Sequence, residues 1–264
     1  MVQTKAADLF NPEVLADALE GKLENAIRFA PYARVDSTLE GQAGDTITRP
    51  KYAYIGAAED LVEGVPMNPA QLSMTTSQVT IKEAGKAVEV TEKAILTNLN
   101  GTMGEAERQI LLALSDKIEI DYLAALNTSL LRHNAAPTTP GAIIDAIAQF
   151  EDEDEDSYVL FVNPSDYTAL AKSLIDGNSH LTRAQIADLI GVSAIVKTRR
   201  VNAGTAFVQK QDAVEIVLKK RPNVEGDHDI LARTFVLAGN EYYTVNLFND
   251  NGVVKVEAVV VPVP

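Results

Sequence analysis

Two β-rich runs between residues 46 and 90 lack the large side chains needed to cover themselves. The first, TITRPKYAYI over 46–55, follows glycines at 41 and 44 and ends at Gly56. Pro50 inside it removes a ladder donor, which places this run at a sheet edge or in an exposed strand. The second, SMTTSQVTIKEAGKAVEV over 73–90, is rich in threonine and valine. Between them GAAEDLVEGVPMNPAQ carries two prolines and acidic residues, the composition of a linker. A two-stranded ribbon of this kind is marginal alone in water. Something outside it must cover it.

The helices around this excursion are easier to place. Residues 12–28 read as an amphipathic helix with Asn11 as cap, Pro12 in the first turn, and Val14, Leu15, Leu19, Leu23 and Ile27 on one stripe. Pro31 ends it. It is either an outlying first helix or an arm whose partner is borrowed. Thr102 and Glu105 form a T-x-x-E capping box, and a helix is expected from there to about 131. Its stripe is Ala106, Ile110, Leu114, Ile118, Tyr122, Ala125 and Leu130, a rod of roughly 40 Å.

After the polar loop HNAAPTTPG the elements alternate. A helix opens at Thr139-Pro140 and runs to Phe150, and an acidic run, EDEDED, fills 151–156. The uninterrupted apolar YVLFV of 158–162 predicts a buried strand. Asn163-Pro164 start a helix carrying Leu170, Ala171 and Leu174, and RAQIADLIG is a shorter one ending at Gly191. Strands are expected near 194–201, 205–209 and 214–218, giving an α/β layer arrangement. The rest reads as a β-meander with turns at Gly239-Asn240 and Asp250-Asn251-Gly252.

Most enzyme classes lose ground at once. Cysteine is absent, which removes thiol nucleophiles, disulfides and thiolate metal sites, and only three histidines occur. No nucleophile elbow, P-loop, dinucleotide fingerprint, zinc-protease motif or EF-hand loop is found. A net charge of −14 argues against a generic nucleic-acid binder. The polar N-terminus does not resemble a signal peptide, and no run approaches eighteen apolar residues, so a soluble protein made in a cytoplasm is expected. The sequons at Asn100 and Asn127 then mean little.

The individual candidates read blandly. Asp227-His228-Asp229 is expected as a solvated loop, and His133 and His180 as surface histidines. Ser165-Asp166 fits helix capping, because no base lies nearby in sequence. The acidic run lacks the spacing and turn glycine of a calcium cage. Lys197, Arg199 and Arg200 alternate faces on a strand and make no continuous patch. No catalytic, cofactor-binding or metal residue is expected, no cofactor, and no enzyme.

What distinguishes the chain is its organisation, and there it resembles the major capsid proteins of tailed bacteriophages, the Hong Kong phage fold shared with encapsulins and herpesvirus capsid floors. The resembling stretches are NPEVLADALEGKL, GDTITRPKYAYIGAAEDLVEG, VTIKEAGKAVEVTEKAIL, VLFVNPSDYTAL and RRVNAGTAFV. The resemblance implies an α+β capsid fold. It divides into an N-terminal arm (1–35), an extended E-loop with its roots (36–92), and a peripheral domain with a spine helix (93–136). An axial domain (137–222) and a peripheral β-meander (223–264) complete it. It implies a structural shell protein of the virion, assembled in the host bacterial cytoplasm into hexamers and pentamers of an icosahedral head. The implied partners are further copies of itself, portal and scaffolding proteins, and double-stranded DNA enclosed without sequence-specific binding; no membrane is involved. No long N-terminal extension resembles a scaffolding domain, so scaffolding is expected as a separate protein or not at all. Some relatives cross-link an E-loop lysine to a neighbour's asparagine. Lys51 and Lys82 lie in the matching ribbon, and Asn246, Asn249 and Asn251 lie later. Nothing marks a partner or a catalytic carboxylate, so cross-linking is not expected. The rival readings are an encapsulin-type shell around protein cargo and a soluble α/β enzyme.

Overall fold

The long helix sets the architecture. In the computed structural model, which describes residues 28–40, 44–52, 55–58, 60, 66–67, 69–97, 102–152, 157–174 and 181–258, helix α2 (Thr102–Asn127) is 26 residues long. A short helix α1 (Glu92–Thr97) precedes it. Ile110, Leu114, Ile118, Tyr122 and Leu126 recur every fourth residue along α2 and are all buried, while Leu112 and Ile120 face out. The helix stops four residues before its expected end. Thr128 and Ser129 turn back onto the Ala125 and Leu126 carbonyls, and the Ser129 hydroxyl donates to the Val253 carbonyl. Leu130, expected on the stripe, is therefore 76% exposed.

Two sheets share this helix. Its N-terminal half packs Ala106, Ile110, Leu111 and Leu114 against Val90, Val224 and Leu237 of a four-stranded sheet. That sheet is ordered β1 (Arg34–Asp36), β9 (Val214–Asp229), β10 (Thr234–Leu247), β4 (Lys82–Thr91). The C-terminal half of α2 shares a core with Phe29, Val159, Phe161, Val214 and Tyr243. Val159 and Phe161 belong to a second, five-stranded sheet: β5 (Leu131–His133), β11 (Val253–Glu257), β8 (Thr205–Lys210), β6 (Tyr158–Val162), β7 (Ala194–Lys197). On its other face lie helices α3 (Pro140–Ala148), α4 (Pro164–Leu174) and α5 (Arg183–Leu189), which press Ile143, Ala146, Leu170 and Ile186 onto Leu160, Val162, Val208, Val254 and Val256. Central strand β6 is thus covered on both faces, and all five of its residues are buried. That is the physical reason its sequence is apolar without alternation.

The expected meander over 223–264 pairs differently. Gly239-Asn240 lies inside the continuous strand β10, paired with Lys86 and Gly85 of β4. The glycine is required by close approach instead of a turn, since a Cβ there would lie 2.5 Å from Ile110 Cγ2. The β9–β10 turn is at 230–233, where Asp229 Oδ1 accepts from the Leu231 and Ala232 amides and Arg233 takes φ 53°. Strand β11 does not join β10, both of whose edges are already occupied by β9 and β4. It runs instead between β8, antiparallel, and β5, parallel.

The ribbon forms over part of the expected run, since the second β segment divides at Ile81 and its latter half, β4, pairs with β10 in the body. β2 (Thr46–Tyr52) and β3 (Met74–Thr80) make a separate antiparallel pair in register from Thr46↔Thr80 to Tyr52↔Met74, with Pro50 opposite Thr76. The arm helix over 12–28 lies outside the described residues, apart from Arg28. Immediately after it Phe29 is fully buried, 5.2 Å from the Tyr122 ring and edge-on to Phe161 at 5.1 Å.

Candidate assembly interface

The side chains considered for chemistry are engaged structurally. His228 lies at the end of β9, where a loop was expected, and its ring stacks on Phe235 at 4.2 Å. His133 Nδ1 is 3.2 Å from Gln149 Nε2, and His180 lies outside the described residues. The Ser165 amide and hydroxyl both donate to Asn163 Oδ1, at 3.0 and 2.9 Å, so Asn163 caps α4. The buried Asp166 accepts the Gly204 amide at 2.7 Å, tying that helix to the turn before β8. Among the described residues no three histidines, aspartates or glutamates come together as a metal site.

The charged candidates resolve in the same way. Of the acidic run, residues 153–156 lie outside the described residues, whereas Asp152 pairs with Lys210 and accepts from the Tyr158 hydroxyl at 2.8 Å. These partners hold its carboxyl below the usual range, Lys210 foremost. Lys197 covers the Tyr167 ring at 4.6 Å, and Arg200 reaches back to Asp116 and Glu119 on α2. The basic cluster at 197–200 is thereby divided between two elements.

The geometry with consequence is at the root of the ribbon. Arg49 of β2 binds Asp36 of β1 and Glu215 of β9, the latter at 2.9 Å, and Arg34 lies 3.6 Å from Glu215. Hydrogen bonds from Thr38, assisted by Arg49, hold Asp36 down at about 2. Glu215 is fully buried, and desolvation pushes its carboxyl up despite the arginines. Lys219 donates to the Gly44 carbonyl and Arg221 pairs with Glu40 at 2.8 Å. At the other root Lys82 binds Asp121 of α2 at 2.8 Å. Lys82 is therefore engaged within its own chain, and the side chain of Lys51 lies outside the described residues. Of the later asparagines, Asn249 Oδ1 accepts the Asn251 amide at 3.1 Å.

Beyond its roots the ribbon presents apolar side chains to solvent. Tyr52, Ile55, Met67, Leu72 and Met74 are all more than half exposed. A second exposed apolar group lies at the tip of the β9–β10 hairpin, where Ile230 is 77% and Leu231 97% exposed, with Leu96 of α1 also exposed. Such groups carry no bond-making chemistry. What they can do is remove apolar area from water against another surface, worth about 25 cal/mol per Å². The residues that fasten the ribbon, Arg49 and Glu215, were missed by sequence reasoning. Their only signal is a charged side chain within an otherwise β-forming run, and that does not disclose the partner.

Residues 74–256 match a family model described as phage capsid protein. Over 263 residues the chain is 35% identical to the major capsid protein of Staphylococcus phage phiMR11, covering 96% of this chain and 95% of that one. The chain belongs to the phage capsid protein family. Among solved structures, this capsid chain matches the capsid of cyanophage P-SCSP1u with TM-score 0.70 at 12% identity, over 88% of each chain. It matches a virus-like particle from Pyrococcus furiosus with TM-score 0.67 at 12% identity, over 93% of this chain and 98% of that one. At those identities the likeness shows the fold alone, which is the tailed-phage capsid fold that the resemblance implied. The capsid family assignment makes the chain a structural shell component of a virion, not an enzyme, and favours a phage capsid over an encapsulin-type compartment.

Proposed function

We propose that this capsid protein assembles with further copies of itself into the hexamers and pentamers of an icosahedral head enclosing double-stranded DNA. The observation that carries the reading is the ribbon, fastened by ion pairs at its roots and exposing apolar side chains beyond them. A neighbouring copy is the surface that would cover those side chains, as in interfaces that resemble a core cut in two. In this reading residues 1–35 are the arm and 36–92 the E-loop with its roots. The four-stranded sheet with α2 belongs to the peripheral domain, and the five-stranded sheet with its helices to the axial domain. The strand pairing supports shifting the expected boundaries at 222 and 223, because β9 begins at Val214 in the first sheet and β11 returns to the second. Portal and scaffolding proteins complete the assembly. A net charge of −14 suits a wall that encloses DNA without gripping it.

Electron microscopy of the expressed full-length chain tests this directly. Closed shells, tubes or capsomers are expected, with nuclease-protected DNA in particles recovered from infected cells. A monomer that persists at high concentration overturns the proposal, and particles filled with a protein cargo instead of DNA point to the encapsulin-type reading.

A further inference from the structure

Glu241 is 1% exposed, and neither of its carboxylate oxygens has a hydrogen-bond partner among the described residues. A buried, unpaired carboxylate is among the costliest groups a fold can hold in its charged form. Its position is structured. Glu241 pairs with Ala84 of β4, while the register with β9 slips between Asn240 and Tyr242, so the residue lies opposite a β-bulge in β9 at 221–222. Two residues back, Gly239 lies beneath Ile110 and Leu114 of α2. Two residues on, the Tyr243 hydroxyl donates to Asp121 Oδ2 at 2.5 Å.

Charged groups lie on three elements packed about β10, and the one that acts on Glu241 is Asp121. α2 supplies Asp121 and Lys117, which pair at 2.9 Å, and β4 supplies Lys82, 2.8 Å from Asp121 and 5.5 Å from the Tyr243 ring centroid. On β9, Lys220 lies over the Tyr242 ring and Arg221 pairs with Glu40, so those cations are engaged elsewhere. We propose that Glu241 is a proton-controlled latch between the root of the ribbon and the spine helix α2. With its proton it is neutral and β10 closes under α2. Without it, two carboxylates, Glu241 and Asp121, share one buried face. Their repulsion then acts on the Lys82–Asp121–Lys117 bridge that fastens the ribbon root to α2. Burial, reinforced by the Asp121 charge, pushes the Glu241 carboxyl up to about 7, within reach of ordinary changes of pH. The folded state therefore binds the proton more tightly than the unfolded chain. The Glu241 contribution to stability is full below about 4.5 and is lost as pH rises through about 7.

The test compares the full-length chain with Glu241→Gln and Glu241→Leu in urea at a series of pH values. Relative to the variants, the parent's folding constant should fall with rising pH, the difference in slope approaching about tenfold per unit between the unfolded and folded values of Glu241, while Glu215 supplies the same term in both. Equal slopes overturn the proposal. If the variants do not fold, the carboxyl carbon of Glu241 is titrated by NMR in the parent. A midpoint within a unit of 7 supports the proton site, and one near 4.5 removes it. For the latch, hydrogen exchange over 82–91, corrected for its intrinsic pH dependence, should speed several-fold above the midpoint in the parent. No change there leaves no latch.

Discussion

A methyl group at Gly239 would sit 2.5 Å from Ile110 Cγ2, and neither β10 nor α2 is free to give way, since each packs along its length. Gly239→Ala should therefore cost about 1–3 kcal/mol as an overpacked core position, measured as a lower urea midpoint with an unchanged slope. Phe29 carries the opposite lesson. Its ring fills the space between Tyr122 and Phe161, and Phe29→Ala should cost about 3–5 kcal/mol through the cavity it leaves. At Asp36 the effect depends on pH. Its folded carboxyl is held near 2 against an ordinary 3.8, so its contribution is present above 3.8 and is lost as pH falls through about 2. The stability difference between the parent and Asp36→Asn should shrink over that interval; a constant difference would show that Thr38 and Arg49 do not select the ionised form. Glu215 acts in the other direction, because its carboxyl is pushed up and protonation relieves its burial.

Among the elements, α2 and the ribbon are opposites. One buries a stripe along its length in two cores, and the other is held by charge at its roots and buries little. Replacing residues 56–72 with an Asn-Gly hairpin turn should shift the unfolding free energy of the body by no more than ~0.5 kcal/mol, as for changes distant from packed features. Deletion of residues 1–28 should also leave a cooperatively folded protein, because Phe29 is retained. Both changes should abolish particles or reduce them to loose capsomers. Circular dichroism melting and electron microscopy on the same samples separate the two effects. Early melting of either variant would place the lost segment in the body's own core.

For the whole molecule the relevant quantity is charge repeated over many copies. Six acidic residues lie at 151–156, and of the two that are described Asp152 pairs with Lys210. Serine at 151 and 153–156 should leave unfolding unchanged while making assembly less sensitive to salt, because repulsion among copies around an axis is reduced. Light scattering of assembly across a salt series measures this. A large loss of thermal stability would instead show that these carboxylates are held within the fold.

The elements whose burial follows from local pattern were legible in the sequence: YVLFV as a strand covered on both faces, the fourfold stripe of α2, and the β2–β3 ribbon with Pro50 on its exposed strand. A side-chain period states which face must be dry, and that information is local. The capsid resemblance was legible too, through element order. Pairing was not. Gly239-Asn240 carries turn chemistry, yet it lies within β10, because a glycine that frees a turn also admits a helix, and only the position of Ile110 decides between them. The 250–252 turn ends β10 as expected, but β11 crosses to the other sheet because β9 and β4 already occupy both edges of β10. The fastening of the ribbon by Arg49 and Glu215, 166 positions apart, and the unpartnered Glu241 under α2 were likewise decided by tertiary structure alone. Whether a hydrogen-bonding edge or a buried charge finds its partner depends on residues far apart in the chain, so no local run can specify it.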